Sequence, residues 1–334
     1  MKTYNFSTFE NCIKKFSNKK VLVIGDLLLD QYIWGDVSRI SPEAPVPVIW
    51  VKRENYMPGG ACNVANNLAE LGADVFLVGI IGSDERADIL KSKLSARNIN
   101  TSGVFTDNER QTSLKTRVIA HSQQVVRIDR EDILDLKPHL SKKIINYVLE
   151  NIPQIDGIII EDYGKGLISG DLLEPIISAA RKYKKIISVD PKEYHFLFYK
   201  RATVITPNHH EAGKAVGFTL RGEDDIERAG RKLLEKLKTD SILITLGEKG
   251  MMLFEEDAEP FKIPTVAQEV YDVSGAGDTV IAVYTLALVS GLTPKLAAYI
   301  SNCAGGIVVG KVGTATVTKN ELLARLKILI GGKK

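Results

Sequence analysis

Apolar residues recur at Phe9, Ile13 and Phe16 with helical spacing, and the pattern then switches to an unbroken apolar run, Val21-Leu22-Val23-Ile24, closed by Gly25-Asp26. The spacing predicts a helix up to Phe16, and the run predicts a parallel strand buried on both faces. Short apolar runs return at Val75–Ile80, Ile155–Glu161, Ile186–Asp190, Val204–Thr206 and Ile242–Leu246, separated from one another by helical or loop segments. Ala61–Leu71 and Asp84–Ala96 read as helices, and so do Gly275–Ser290, Pro294–Val309 and Lys319–Ile330 in the last third. Such alternation predicts an α/β fold: a doubly wound, mostly parallel sheet flanked by helices on both faces.

Two stretches break the alternation. Residues 31–56 carry β-rich pieces, Tyr32-Ile33-Trp34 and Val46–Val51, on either side of Ser41-Pro42-Glu43-Ala44-Pro45. Prolines at that density exclude a helix and predict edge strands joined by turns. Residues 104–128 are similar, with Val118-Ile119-Ala120 and Val125-Val126-Arg127-Ile128 flanking Ser122-Gln123-Gln124. Together they predict one small sheet outside the main fold. There is no internal repeat and no low-complexity linker, so residues 1–334 are expected to form a single domain with this accessory sheet as a lid.

Composition narrows the classes of function. A formal charge of +3 over 334 residues gives no reason to expect nucleic acid or a membrane as partner. Lys14-Lys15, Lys184-Lys185 and Lys333-Lys334 are scattered and read as solvated surface. The three cysteines, Cys12, Cys62 and Cys303, make neither a disulfide framework nor a CxxC pair. The first residues lack the apolar core of a secretory leader and no apolar run is long enough to span a bilayer, so the cytoplasm is the expected location.

Four motifs carry chemistry. Asp272-Val273-Ser274-Gly275-Ala276-Gly277-Asp278-Thr279 runs directly into an apolar helix. Small residues at a helix start let several N–H groups point at one anion, and a carboxylate in the first turn can take a proton from a hydroxyl beside it. Helix capping and close packing are the alternative role. In Pro58-Gly59-Gly60-Ala61-Cys62-Asn63 the glycines admit a ligand to the backbone, and Asn63 can both donate to and accept from sugar hydroxyls; a plain strand-to-helix turn would look the same. Cys62 reads as a packed residue rather than a nucleophile. In Thr206-Pro207-Asn208-His209-His210-Glu211, Asn208 and Glu211 share a helix face and offer oxygen to Mg²⁺ or its waters, although the pair also reads as a capping box. Thr245-Leu246-Gly247-Glu248-Lys249-Gly250 ends a strand at the sheet edge where nucleotides bind. Neither a GxxxxGK[ST] loop nor a GxGxxG following a strand occurs.

In this order, the Gly-Gly…Asn element at 59–63, the Asn-x-x-Glu element at 208–211 and the Asp-x-x-Gly-Ala-Gly-Asp element at 272–278 resemble the ribokinase-like (PfkB) carbohydrate kinases over nearly the whole chain. The resemblance implies a sugar kinase using ATP and Mg²⁺. It implies Asp278 as base, the amides of Gly275, Ala276 and Gly277 as anion hole, and Asp30, Gly59, Gly60 and Asn63 on the sugar. It further implies Thr245, Gly247 and Gly250 at the nucleotide, Asn208 and Glu211 at the metal, and the β excursions as the family's lid. The Asp272 loop and Gly313–Thr316 resemble a family site for a monovalent cation such as K⁺. A homodimer through the lids is expected, because an isolated sheet needs a surface to pack on.

Within the family, Gly25-Asp26-x3-Asp30, the run Ser38–Val48, Asp162-Tyr163-Gly164-Lys165-Gly166, Asp190-Pro191-Lys192 and Gln268-Glu269-Val270-Tyr271-Asp272 resemble the kinases of D-glycero-β-D-manno-heptose 7-phosphate in ADP-heptose and lipopolysaccharide core synthesis. That branch implies transfer to the anomeric 1-hydroxyl and a cationic pocket for the 7-phosphate. Arg127, with Lys115 and Arg117, supplies the candidates, while Lys165 and Lys192 suit either ATP or sugar phosphate. Other sugars, sugar phosphates or nucleosides remain as alternative substrates, as does a non-catalytic sensor. Many members carry a nucleotidyl-transfer domain after the kinase; with the sequence stopping at Lys334, that step is expected from a separate adenylyltransferase. Cys62 replaces an expected Ala, and Glu193-Tyr194-His195 stands where a Gly is usual, so that loop is expected to differ in shape.

Overall fold

Strand β1 (Lys20–Gly25) shows why the sheet is buried on both sides: Val21 and Val23 face one hydrophobic core, Leu22 and Ile24 the other. The computed structural model describes residues 5–121, 123–267 and 270–331. Ser122, Gln268, Glu269 and Lys333-Lys334 of the motifs above lie outside the described residues. The first core is closed by α1 (Phe6–Lys15), α2 (Ala61–Glu70) and α3 (Glu85–Ser95) together with helices of the last third.

After β1 the chain passes through Asp26 straight into β2 (Leu27–Ile40), turns, and returns as β3 (Pro47–Gly60). It then makes β4 (Asp74–Ile81), β5 (Asn100–Thr106), β6 (Ser113–Ala120) and β7 (Gln123–Arg130). Helix α4 (Pro138–Asn151) leads to β8 (Gly157–Glu161), α5 (Gly170–Lys182), β9 (Ile186–Asp190) and the two-residue β10 (Val204–Ile205). There follow α6 (His209–Val216), α7 (Glu223–Leu237), β11 (Ser241–Thr245), β12 (Met251–Glu255) and β13 (Phe261–Ile263). Three helices finish the chain: α8 (Ala276–Val289), α9 (Pro294–Val308) and α10 (Lys319–Gly331). Helices α4 to α7 close the second core.

The nine-stranded sheet has the order β13-β12-β11-β10-β9-β8-β1-β4-β5. It is parallel from β5 to β11, and β12 and β13 add an antiparallel edge. The predicted fold class therefore holds, and the hairpin after Gly250 extends it. The second sheet, β3-β2-β6-β7, is the lid. Its inner strands β2 and β6 run parallel, while β3 and β7 are its edges. The lid strands are longer than expected: 27–60 form one continuous ribbon. Conversely, Val104–Thr106 belong to β5 of the large sheet, because their pairing with β4 continues the parallel ladder.

Gly25 shows how tightly the site-bearing end of β1 is packed. A Cβ there would fall 2.2 Å from the Glu161 carbonyl oxygen. Gly25→Ala must push β1 and β8 apart and is expected to cost about 1–3 kcal/mol, as overpacking does. The urea midpoint checks this, and an unchanged midpoint would contradict it.

Candidate active site

From β1 the chain builds outwards to β4 and β5, then crosses back to add β8, β9, β10 and β11 on the other side. The carboxyl ends of β1 and β8 therefore flank the switch point, where a crevice opens. Asp26 follows β1 there. Its Oδ2 accepts the N–H groups of Tyr163 (2.9 Å) and Lys165 (3.1 Å) and so shapes the loop after β8. Burial, followed by the charge of Asp162, pushes its carboxyl up to about 6. Asp162 is held by the Gly164 N–H, the Tyr199 hydroxyl (2.6 Å) and His195 Nδ1 (2.7 Å). The His195 loop thus braces Asp162.

Asp278, in the first turn of α8, is the buried centre of the crevice. Asn63 Nδ2 on α2 donates to its Oδ2 at 2.6 Å, and the Tyr163 hydroxyl donates to Oδ1 at 3.0 Å. Asn67 holds Asn63 in turn and accepts from the Thr279 hydroxyl. Burial raises the Asp278 carboxyl to about 6 against the pull of these two donors. A carboxylate so placed is oriented, poorly solvated and basic enough to take a proton near neutral pH. Gly275 has φ +74°, and a Cβ there would fall 2.6 Å from Asn63 Nδ2, so glycine is required for α2 and α8 to meet. The Ala276 N–H already donates to the Val273 carbonyl at 3.2 Å. Gly277 lines the cavities next to the carboxylate.

Asp30 on β2 is buried and receives the Arg117 guanidinium at 2.5 Å. Gly59, on the neighbouring strand and diagonal to it, lets the carboxylate in: a Cβ there would fall 2.4 Å from Asp30 Oδ2. Gly60, with φ +56°, turns the chain into α2. The crevice therefore brings Asp30, Gly59, Gly60, Asn63 and Asp278 together. It does not bring Arg127 to them: this side chain lies on the edge strand β7, 53% exposed, with both ends of its fork on Asp129 at 2.9 and 3.0 Å. Lys165 pairs with Glu131 at 2.5 Å. The Lys192 stem packs on Gly164, and its amine is 3.6 Å from Glu193. Cys62 is fully buried, its thiol pushed up to about 12, as a packing residue requires.

On the other side of Asp278 lie Glu161, which no sequence motif singled out, and Asp190, which the Asp190-Pro191-Lys192 motif contained without a role for its carboxylate. Glu161, Asp190 and Asp278 each place a carboxylate oxygen within 4.8 Å of the others. Both Glu161 oxygens are buried and meet no hydrogen-bond donor among the described residues, and burial raises the Glu161 and Asp190 carboxyls well above the usual range. Asp190, Thr206, Asn208, Glu211 and Gly277 line a cavity of about 80 Å³ beside them. Asn208 and Glu211 do form the capping box of α6: the Asn208 N–H donates to Glu211 Oε2, and Asn208 Oδ1 accepts from the His210 and Glu211 N–H groups. An orphaned carboxylate among oxygen ligands fits a hard cation such as Mg²⁺. The one signal for Glu161 in the sequence is an acid closing an Ile-Ile-Ile run, immediately before Asp162.

A cavity of about 1090 Å³ adjoins this one, sharing Thr245, Gly277 and Val280, and Gly247 and Gly250 also line it. Gly250, at φ +90°, lies so close to β13 that a Cβ would fall 2.0 Å from the Ile263 carbonyl. Among the described residues no helix is long and apolar enough to cross a membrane.

If ionised Asp278 takes the proton, activity should fall as pH drops through about 6. Stability should run the other way. Since folding raises this carboxyl from 3.8 to about 6, its ionisation opposes folding, and stability is lost as pH rises across that window. Asp278→Asn should flatten that part of the melting-temperature profile; an unaltered profile would contradict the assigned environment.

The pfkB family carbohydrate kinase pattern matches residues 18–321. The bifunctional protein HldE of Desulfatibacillum aliphaticivorans is 46% identical over 98% of this chain, and that of Helicobacter pylori (strain G27) is 45% identical over 91%. The chain spans 66% and 65% of their lengths. Since these relatives are named as bifunctional single proteins, the expectation of a separate adenylyltransferase draws no support from them. Two solved structures share the fold: phosphofructokinase-2 from Escherichia coli in complex with substrates and products (TM-score 0.77, 19% identity, 93% of this chain and 99% of that one), and Arabidopsis thaliana ribokinase complexed with ribose and ATP (TM-score 0.73, 19% identity, 92% and 99%). With its lidded parallel sheet, its buried helix-start carboxylate and a family match across most of its length, this chain belongs to the pfkB family of carbohydrate kinases and is a sugar kinase.

Proposed function

We propose that the protein transfers the γ-phosphoryl group of ATP to the anomeric 1-hydroxyl of D-glycero-β-D-manno-heptose 7-phosphate, giving the 1,7-bisphosphate. The observation that carries the reading is Asp278, buried and oriented by Asn63 and Tyr163 between the sugar crevice and the large cavity. The specific sugar rests on the Ser38–Val48 and Asp162–Gly166 motifs and on the HldE relatives.

In this mechanism Asp30, with Gly59 beside it, receives the sugar hydroxyls, and Asp278 takes the proton of the reacting hydroxyl as the new P–O bond forms. The Gly275–Gly277 segment at the N-terminus of α8 faces the negative charge that spreads over the transferred group. Thr245, Gly247 and Gly250 border the nucleotide, with Lys192 near its phosphates. Bound Mg²⁺ would neutralise phosphate charge, and Glu211, Asp190 and Glu161 are the residues to hold it or its waters, with Asn208 keeping Glu211 in place. A monovalent cation such as K⁺ beside the Asp272 and Gly313 loops belongs to the same proposal.

An assay of ADP release over phosphorylated heptoses and hexoses tests the reading, with fastest turnover expected for heptose 7-phosphate. Asp278→Asn should lower kcat by roughly 10²–10⁴ while nucleotide binding persists; turnover within a few-fold of wild type would contradict it. Glu211→Gln should raise the Mg²⁺ concentration needed for half-maximal rate, whereas an unchanged titration would leave Glu211 as a cap alone.

The lid supports a homodimer. Trp50, Val51, Val125, Val126 and Ile128 are exposed on its outer strands, and β3 and β7 are unpaired edges. Light scattering should give about twice the 36.8 kDa chain mass; a monomer at micromolar concentration would contradict this.

A further inference from the structure

We propose that Lys115 and Lys165, rather than Arg127, form the pocket for the phosphate that the sugar already carries. The inference rests on the proposed function and assigns the specificity-determining residues of that site.

Lys115 stands opposite Asp30 in the β2–β6 register, so both side chains rise from the same face of the lid. Its ammonium lies 5.1 Å from the centroid of the Tyr163 ring, whose hydroxyl donates to Asp278. The cation is therefore one phenol ring away from the base, and the lining of the large cavity includes neither lysine. Among the described residues Lys115 Nζ has no hydrogen-bond acceptor and no ion-pair partner; the aromatic face is its one polar contact.

Lys165 comes two residues after Tyr163, in the loop that Asp26 holds. Its partner Glu131 uses one oxygen on Lys165, and the other is buried without a donor. Arg117 is engaged by Asp30. Around Lys115 the cations Lys115, Lys165, Arg117 and Arg127 face the carboxylates of Glu131, Asp30 and Asp129; with Arg117 on Asp30, Arg127 on Asp129 and Lys165 on Glu131, the charge left over is that of Lys115, in a partly desolvated place. Burial and the charge of Lys165 both disfavour the ammonium form of Lys115, so the pair is held at a cost in the free protein. A phosphate dianion bridging the two would satisfy Lys115 and give Lys165 a second acceptor, through charge-assisted hydrogen bonds. Arg127 lacks this character, because its fork is already filled by Asp129 and it faces solvent.

The test compares kcat/KM for phosphorylated and unphosphorylated partners, heptose 7-phosphate with heptose and fructose 6-phosphate with fructose, in wild type, Lys115→Met, Lys115→Arg, Lys165→Met and Arg127→Ala. Melting curves confirm that each variant is folded. Losing one charge-assisted contact should cut the preference for the phosphorylated sugar by roughly tenfold or more in Lys115→Met and Lys165→Met. Lys115→Arg should retain most of that preference, which a merely structural lysine would not predict, and KM for ATP should stay within about twofold. Should one lysine variant fail to fold, the other and Lys115→Arg still decide. The inference is overturned if Arg127→Ala loses the preference while both Met variants keep it, or if wild type shows no preference in either pair. If wild type instead prefers fructose 6-phosphate to heptose 7-phosphate, the proposed substrate fails, and the pocket is scored on the hexose pair.

Discussion

Three separate parts of the chain hold the Asp278 carboxylate away from water, and the base proposed there depends on all of them. Helix α8 supplies it, α2 supplies Asn63, and the loop after β8 supplies Tyr163. Desolvation raises the carboxyl, while the two donors keep it from rising so far that it stays protonated. The rest of the architecture follows from that balance. Gly275 must lack a side chain for α2 to reach α8, Asn67 must hold Asn63, and Asp26 must hold the loop that carries Tyr163.

The remaining acids follow the same logic. Glu161 and Asp190 lie close to Asp278 with little to neutralise them, which is unfavourable in a protein interior unless a proton or a cation shares the space. Their position beside the cavity of Thr206, Asn208 and Glu211 makes that cost understandable as preparation for a cationic ligand. Asn208 and Glu211 cap α6 and face this cavity at once, so capping and ligation are compatible roles for the same side chains.

The lid adds a second electrostatic region. Asp30 and Arg117 neutralise each other at the sugar end, whereas Lys115 and Lys165 are left with a surplus of positive charge. The crevice thus has an acidic side near Asp278 and a cationic side beyond Tyr163, the polarity suited to a sugar carrying an anion at the end away from its reacting hydroxyl.

By itself the sequence determined the fold class, because buried parallel strands leave unbroken apolar runs, and it determined the helix-start carboxylate, because Gly-Ala-Gly-Asp ahead of an apolar helix is a local pattern. It also located Asn63, Asn208 and Glu211 at helix starts, whereas Asp30, expected at the end of the first strand, lies inside β2 because the chain passes from β1 into the lid without a break. It left 104–106 in the lid and passed over the β12–β13 hairpin, since a short apolar run does not reveal which sheet it joins. Only the tertiary structure decided that Asn63 and Tyr163 grip Asp278, 215 and 115 residues apart along the chain, and that Glu161 joins Asp190. It also distinguished Arg127 from Lys115: strand register sets Asp129 opposite Lys115, yet its carboxylate binds Arg127 two residues away on the same strand, and a loop from another part of the chain brings Tyr163 to Lys115 instead.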